Sequence, residues 1–157
     1  MSRESGHWAI GRISGFISSC RRWCCNTVVT VWDLGKKQFT VRQHLYGHTE
    51  AVTCLAASAG YQLLVPGSRD RTAIIWDLSR LTFVAQLSGH SAPLAAIAIN
   101  EVTGDIATCS GTWLHLWSIN GHPLANVNTL VGQQMGRSQH ILCVSFSQYN
   151  EWVKRIK

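Results

Sequence analysis

A Gly-His pair followed by a strand ending in Trp recurs along this chain at a nearly fixed interval. Gly47-His48 and Gly89-His90 stand 42 residues apart, and Trp32, Trp76 and Trp117 are separated by 44 and 41. Each Trp closes a β-branched or aliphatic run: Thr27–Trp32, Thr72–Trp76 and Trp113–Trp117. Two further short apolar runs fill the interval before the second and third Trp, and turn residues punctuate them, as in Ser58-Ala59-Gly60 and Gly67-Ser68-Arg69-Asp70. The unit is therefore four short strands joined by tight turns. One such sheet is too small to bury both faces, so units must stack face to face. A period near 40 with recurring Gly-His and Trp signals, the Trp followed by Asp at Trp32 and Trp76, marks the blades of a β-propeller.

Taken in order, residues 1–26 do not fit the repeat and read as a non-repeat, poorly ordered extension. From 27 to 149 the pattern holds. Thr27–Trp32 and Phe39–Leu45 read as the last two strands of a blade. A first complete blade runs from about 51 to 87 and a second from about 94 to 129. After the polar loop Gly132–His140, Ile141–Phe146 reads as the inner strand of a following blade. Residues 150–157 form a basic tail. The expected fold is all-β: a partial propeller of two complete four-stranded blades, half of a preceding blade and one strand of a following one. Such a piece exposes an apolar blade face at each end, which invites self-association or the remaining blades of a ring. Pro66 follows the second strand of the first blade, where its missing N–H predicts an early end or an exposed position.

Charge and cysteine narrow the function classes. The net charge is +6, but residues 1–26 hold four Arg against one Glu and residues 151–157 three basic residues against one Glu. The repeats themselves are nearly neutral, so they lack the basic stripe that phosphate backbones require, and no nucleic-acid partner is expected. Cys54, Cys109 and Cys143 fall inside strands, where Cys packs as a small hydrophobe. Cys20, Cys24 and Cys25 lack a second Cys/His pair at zinc spacing, so no metal is expected. Cys24 and Cys25 beside Arg21 and Arg22 are candidate lipid acceptors. No apolar run reaches transmembrane length, and nothing at the start resembles a secretory signal, so a reduced, cytoplasmic protein is expected.

The recurring units resemble WD repeats. In blades of that kind a His before the inner strand, an Asp in the turn between the second and third strands and a Trp on the third strand form a hydrogen-bonded set. The resemblance places that set on His48, Asp70 and Trp76, with the imidazole accepting the indole N–H and Asp70 holding the other ring nitrogen. In the second blade His90 and Trp117 are present, but the turn Ser110-Gly111-Thr112 has no Asp. Ser68, His48 and Asp70 superficially suggest a hydrolase. However, no Gly-x-Ser-x-Gly elbow, phosphate loop, dinucleotide fingerprint or His-Glu-x-x-His accompanies them, so no catalytic residue and no cofactor is expected.

Several strings go beyond what a blade demands. Leu45–Cys54, Gly67–Thr72, Ile74–Leu78, Ile99–Ile106 and Leu116–Pro123 resemble the C-terminal propeller of BEACH-domain proteins, most closely the WD-repeat and FYVE-domain-containing members. The likeness covers roughly residues 27–152; the BEACH and FYVE modules themselves have no counterpart here. The resemblance implies a non-catalytic scaffold in autophagy or endolysosomal membrane traffic. Its place would be cytoplasmic, peripheral on those membranes, with any membrane association indirect. Its partners would be other proteins, bound through blade loops at Ser68–Arg71, Glu101–Gly104 and Gly132–His140. Arg69 and Arg71, side by side in one turn, are the candidate contacts for an acidic segment. The alternatives are a non-functional fragment of a larger BEACH protein and, behind it, an unrecognised hydrolase using Asp70 and His48.

Overall fold

The computed structural model describes residues 16–19, 27–34, 38–130 and 140–146. Its strands are β1 (Phe16–Ser19), β2 (Val29–Leu34), β3 (Phe39–Leu45), β4 (Val52–Ser58), β5 (Leu63–Ser68), β6 (Ala73–Asp77), β7 (Thr82–Leu87), β8 (Leu94–Ile99), β9 (Ile106–Ser110), β10 (Trp113–Trp117) and β11 (Pro123–Asn128). They form three antiparallel sheets, each in chain order: β1-β2-β3, β4-β5-β6-β7 and β8-β9-β10-β11. No helix among the described residues is long and apolar enough to cross a membrane.

The repeat is visible in the irregularities as well as in the strands. In every sheet the register slips just before the Trp, at Val31/Trp32, Ile75/Trp76 and Leu116/Trp117. A second slip recurs in the inner strands, at Val52/Cys54 and Leu94/Ala96. Bulges of this kind add local twist, and their recurrence gives successive sheets the same curvature for stacking.

Cores lie between sheets, not within them. Val29, Val31 and Leu45 of the first sheet pack on Leu64, Ile74, Trp76, Leu78 and Leu81. The other face of the β4–β7 sheet, with Leu63, Val65, Ile75 and Leu87, meets Leu94, Ile97, Ile99, Ile106 and Trp117. Gly67 sits at that second junction. A Cβ there would stand 2.6 Å from Ile97 Cδ1 and 2.8 Å from Cys54 Sγ, so the close approach of the blades requires glycine. Hydrogen bonds cross the same junction, from Thr53 Oγ1 to the Leu94 carbonyl (2.6 Å) and from Ser58 Oγ to Glu101 (2.7 Å).

Three expectations need correction. First, Phe16–Ser19 lies in the stretch read as an extension, yet it pairs with β2 from Phe16↔Asp33 to Ser19↔Thr30. The first sheet thus has three strands instead of two. The Gly-rich, unperiodic surroundings of these four residues hide a strand defined by its partner. Second, Ile141–Phe146 is not a strand among the described residues. Its Ile141 and Val144 are buried against Ala96, Ala107 and Cys109, and the Ile141 N–H donates to the Gly111 carbonyl. The segment covers the far face of the second blade by side-chain packing, without a described neighbour to form a ladder. Third, Pro66 neither ends β5 nor lies exposed. It is fully buried and pairs with Leu55. The β5–β6 ladder registers Leu64↔Trp76 and Gly67↔Ala73 and skips the residues between, so the missing N–H falls at a gap in the ladder.

Candidate functional site

The turn from β5 to β6 carries most of the residues that suggested chemistry, and its geometry is closed upon itself. Ser68 is buried, and its hydroxyl faces the carbonyls of Glu50 (2.9 Å) and Ala51 (3.0 Å) while accepting the Asp70 N–H (3.1 Å). Asp70 Oδ1 takes the Thr72 hydroxyl (2.6 Å) and the Thr72 N–H (2.9 Å). Asp70 Oδ2 takes the Thr49 N–H (3.0 Å) and His48 Nδ1 (2.9 Å). Burial would by itself raise the Asp70 carboxyl. The hydrogen bonds from Thr72, Thr49 and His48 outweigh it and hold the group at about 2. The structure therefore brings His48 and Asp70 together, and it turns the Ser68 hydroxyl toward backbone carbonyls.

Trp76 does not join them. His48 Nε2 lies 3.3 Å from the Pro66 carbonyl, an acceptor. Among the described residues no hydrogen bond links the Trp76 indole to His48, whose second nitrogen is already at that carbonyl. The Trp76 ring instead packs edge-on against Phe83, centroids 6.1 Å apart.

The second blade shows what Pro66 displaces. There the Trp117 indole N–H donates to Thr108 Oγ1 (3.0 Å), and Thr108 Oγ1 meets His90 Nε2 (2.8 Å). The acceptor of the indole is thus a buried hydroxyl, not the imidazole. Thr108 stands 42 residues after Pro66, the same interval that separates His48 from His90. Among the described residues His90 has no carboxylate partner. Its Nδ1 donates to the Arg71 carbonyl at 3.1 Å, in the turn of the preceding blade. Arg71 reaches that position with a left-handed backbone, φ 65°. Burial, with His115 nearby, pulls the His90 imidazole down to about 4 against the opposing bond to Arg71. Each blade therefore holds half of one network: carboxylate and imidazole in the first, imidazole, hydroxyl and indole in the second.

The remaining candidate contacts lie outside these networks. Arg69 and Arg71 are exposed, with the Arg69 N–H fixed to the Ala51 carbonyl (2.9 Å) and the Arg71 N–H to the Ser68 carbonyl (3.3 Å). In the loop from β8 to β9, Val102 is exposed, while Glu101 and the Val102 carbonyl reach Ser58 and Tyr61 of the first blade. Residues 132–139, most of the third candidate loop, and Cys20, Cys24 and Cys25 lie outside the described residues. Cys54, Cys109 and Cys143 are free thiols. Among the described residues no cluster of three His, Cys, Asp or Glu has the arrangement of a metal site.

Stacked four-stranded antiparallel sheets, a bulge at each Trp and the hydroxyl-mediated link from Trp to His together define a WD-repeat β-propeller segment. The family model described as "WD domain, G-beta repeat" matches residues 39–77. In fold alone, the chain is similar to the solved structure of U3-55K, with a TM-score of 0.69 at 15% identity over 83% of this chain and 39% of that one. In sequence it is similar to human WD repeat- and FYVE domain-containing protein 4, 48% identical over 114 residues, which are 69% of this chain and 4% of that protein. It is 38% identical over 133 residues to BEACH domain-containing protein A2 of Arabidopsis thaliana, covering 81% of this chain and 4% of that protein. It is 41% identical over 116 residues to the human Lysosomal-trafficking regulator, covering 70% of this chain and 3% of that protein. The chain is a WD-repeat segment of the BEACH family, and it spans only a few per cent of the length of these relatives.

Proposed function

We propose that this segment is a protein-binding surface without chemistry of its own, and that it serves membrane traffic in autophagy or at endolysosomal membranes from the cytoplasmic side. One observation carries the reading. In the Ser68–Arg71 turn both Asp70 oxygens, the His48 imidazole and the Ser68 hydroxyl are all engaged in holding the backbone, and what points outward is Arg69 and Arg71. A rigid loop presenting two guanidiniums fits an acidic segment of a partner protein. The relatives support the setting, since one bears the name of a regulator of lysosomal trafficking. The same geometry speaks against a hydrolase, because the Ser68 hydroxyl is committed to carbonyls and does not meet the imidazole.

The test is capture of partners from cytoplasm by the wild-type chain and by Arg69→Ala combined with Arg71→Ala, both with unchanged melting curves. Loss of at least one acidic partner in the double variant is expected. Retention of every partner would remove these two residues from recognition. An activity screen in which His48→Asn abolishes turnover without lowering the melting temperature would instead restore a catalytic role.

A further inference from the structure

His90 and His115 stand ring against ring, with centroids 4.8 Å apart at an interplanar angle of 72°. Trp113 and Trp117 stack on either side of His115, at 6.1 and 6.0 Å. His90 is only 5% exposed. Its hydrogen bonds match a neutral ring: Nδ1 donates to the Arg71 carbonyl and Nε2 accepts the Thr108 hydroxyl proton, while Thr108 Oγ1 accepts the Trp117 indole N–H. His115 Nε2 is buried with no partner among the described residues.

Among the described residues the neighbours offer no counter-charge. The titratable or charged groups facing His90 are His115 on β10 and Arg71 on the preceding turn, and Arg71 presents its carbonyl. His115 faces His90 and lies in register with Thr108 on β9 and Asn126 on β11, neither of which titrates. The first blade differs on both counts. Its His48 has the Asp70 carboxylate at 2.9 Å. At the position 41 residues before His115, the interval separating the two Trp, it carries the buried aliphatic Ile74.

We propose that the His90–His115 pair makes the second blade an acid-sensitive element. Protonating either imidazole places an unpaired charge between the blades, and the second blade loosens while the first keeps its turn. Burial draws both imidazoles below their ordinary range, His90 to about 4. The unfolded chain therefore binds more protons than the folded blade as pH falls from the ordinary 6.5 of histidine toward 4, and stability is lost across that window. Each pH unit within it raises the opening equilibrium about tenfold per imidazole kept neutral.

The experiment is hydrogen exchange with peptide-level mass analysis of the full chain between pH 7.5 and 5, corrected for the intrinsic pH dependence of exchange. Amides of β8, β9 and β10 are expected to open about tenfold or more with acidification, and those of β4, β5 and β6 to stay protected. Equal opening of both blades, or none in either, would overturn the proposal. His115→Ile, which installs the residue of the first blade, is expected to reduce the acid response of β8–β10; an unchanged response would also overturn it. If that variant does not fold, titration of the His90 and His115 ring resonances in the wild-type chain decides. His90 is expected near 4 and His115 below the ordinary 6.5, and an unshifted value for either overturns the proposal.

Discussion

Thr108 is the residue on which the second blade's polar network turns. It accepts from Trp117 and donates to His90, and it is fully buried. Thr108→Val keeps the shape but orphans both partners, and should cost about 2–4 kcal/mol in chemical denaturation, whereas Thr108→Ser should cost less than half of that. Conversely, Pro66→Thr in the first blade places a hydroxyl between His48 and Trp76. The Trp76 indole N–H then gains an acceptor, and a gain of up to about 1 kcal/mol is expected in the same measurement, less what the lost rigidity of proline takes back. Sequence reasoning found the ends of this network, His90 and Trp117, because His and Trp recur at the period. It missed the middle because a Thr in a buried strand looks like an ordinary β-branched filler. Only alignment with Pro66 along the repeat marks the position. The Arg71 carbonyl left no trace at all, since every residue has one.

Among the elements, β5 shows how closely the blades meet. Gly67→Ala would drive a Cβ into Ile97 Cδ1, Cys54 Sγ and, at 3.0 Å, Leu94 Cδ2. A loss of about 1–3 kcal/mol is expected, partly restored by combining it with Ile97→Val. The eight strands of the two blades were legible because each obeys a pattern of its own: β-branched runs, turn residues between them, and a Trp at a fixed offset. The pieces that were misread are those whose structure is set by neighbours. β1 is a strand because β2 offers an edge. Ile141–Phe146 has a strand-like composition, yet among the described residues it forms no ladder and is held by side-chain packing and the single Ile141–Gly111 backbone bond. Pro66 is tolerated in mid-strand because the opposing ladder has a gap at that point, which no property of β5 reveals.

At the scale of the whole molecule, stability should fall in two acid steps with different origins. The first, from the ordinary 6.5 down to about 4, belongs to His90, whose folded form is kept neutral, so protonation favours unfolding. The second belongs to Asp70. Its carboxyl is lowered from 3.8 to about 2, so the stability it contributes is full above 3.8 and disappears as pH falls through about 2. Asp70→Asn should lower the melting temperature at pH 7 and flatten the second step while leaving the first in place. Calorimetry across pH 2–7 reads both limbs.

The left-handed Arg71 has a further consequence, for how such a chain is cut and rebuilt. Its carbonyl belongs by sequence to one blade and by bonding to the next. A boundary drawn between Leu87 and Leu94, where the sheets divide, would separate His90 either from the Arg71 carbonyl or from Thr108. The smallest portion that can be transplanted into another ring with its bonds intact therefore reaches back beyond the Ser68 turn to Thr53 on β4, and so takes in the preceding sheet.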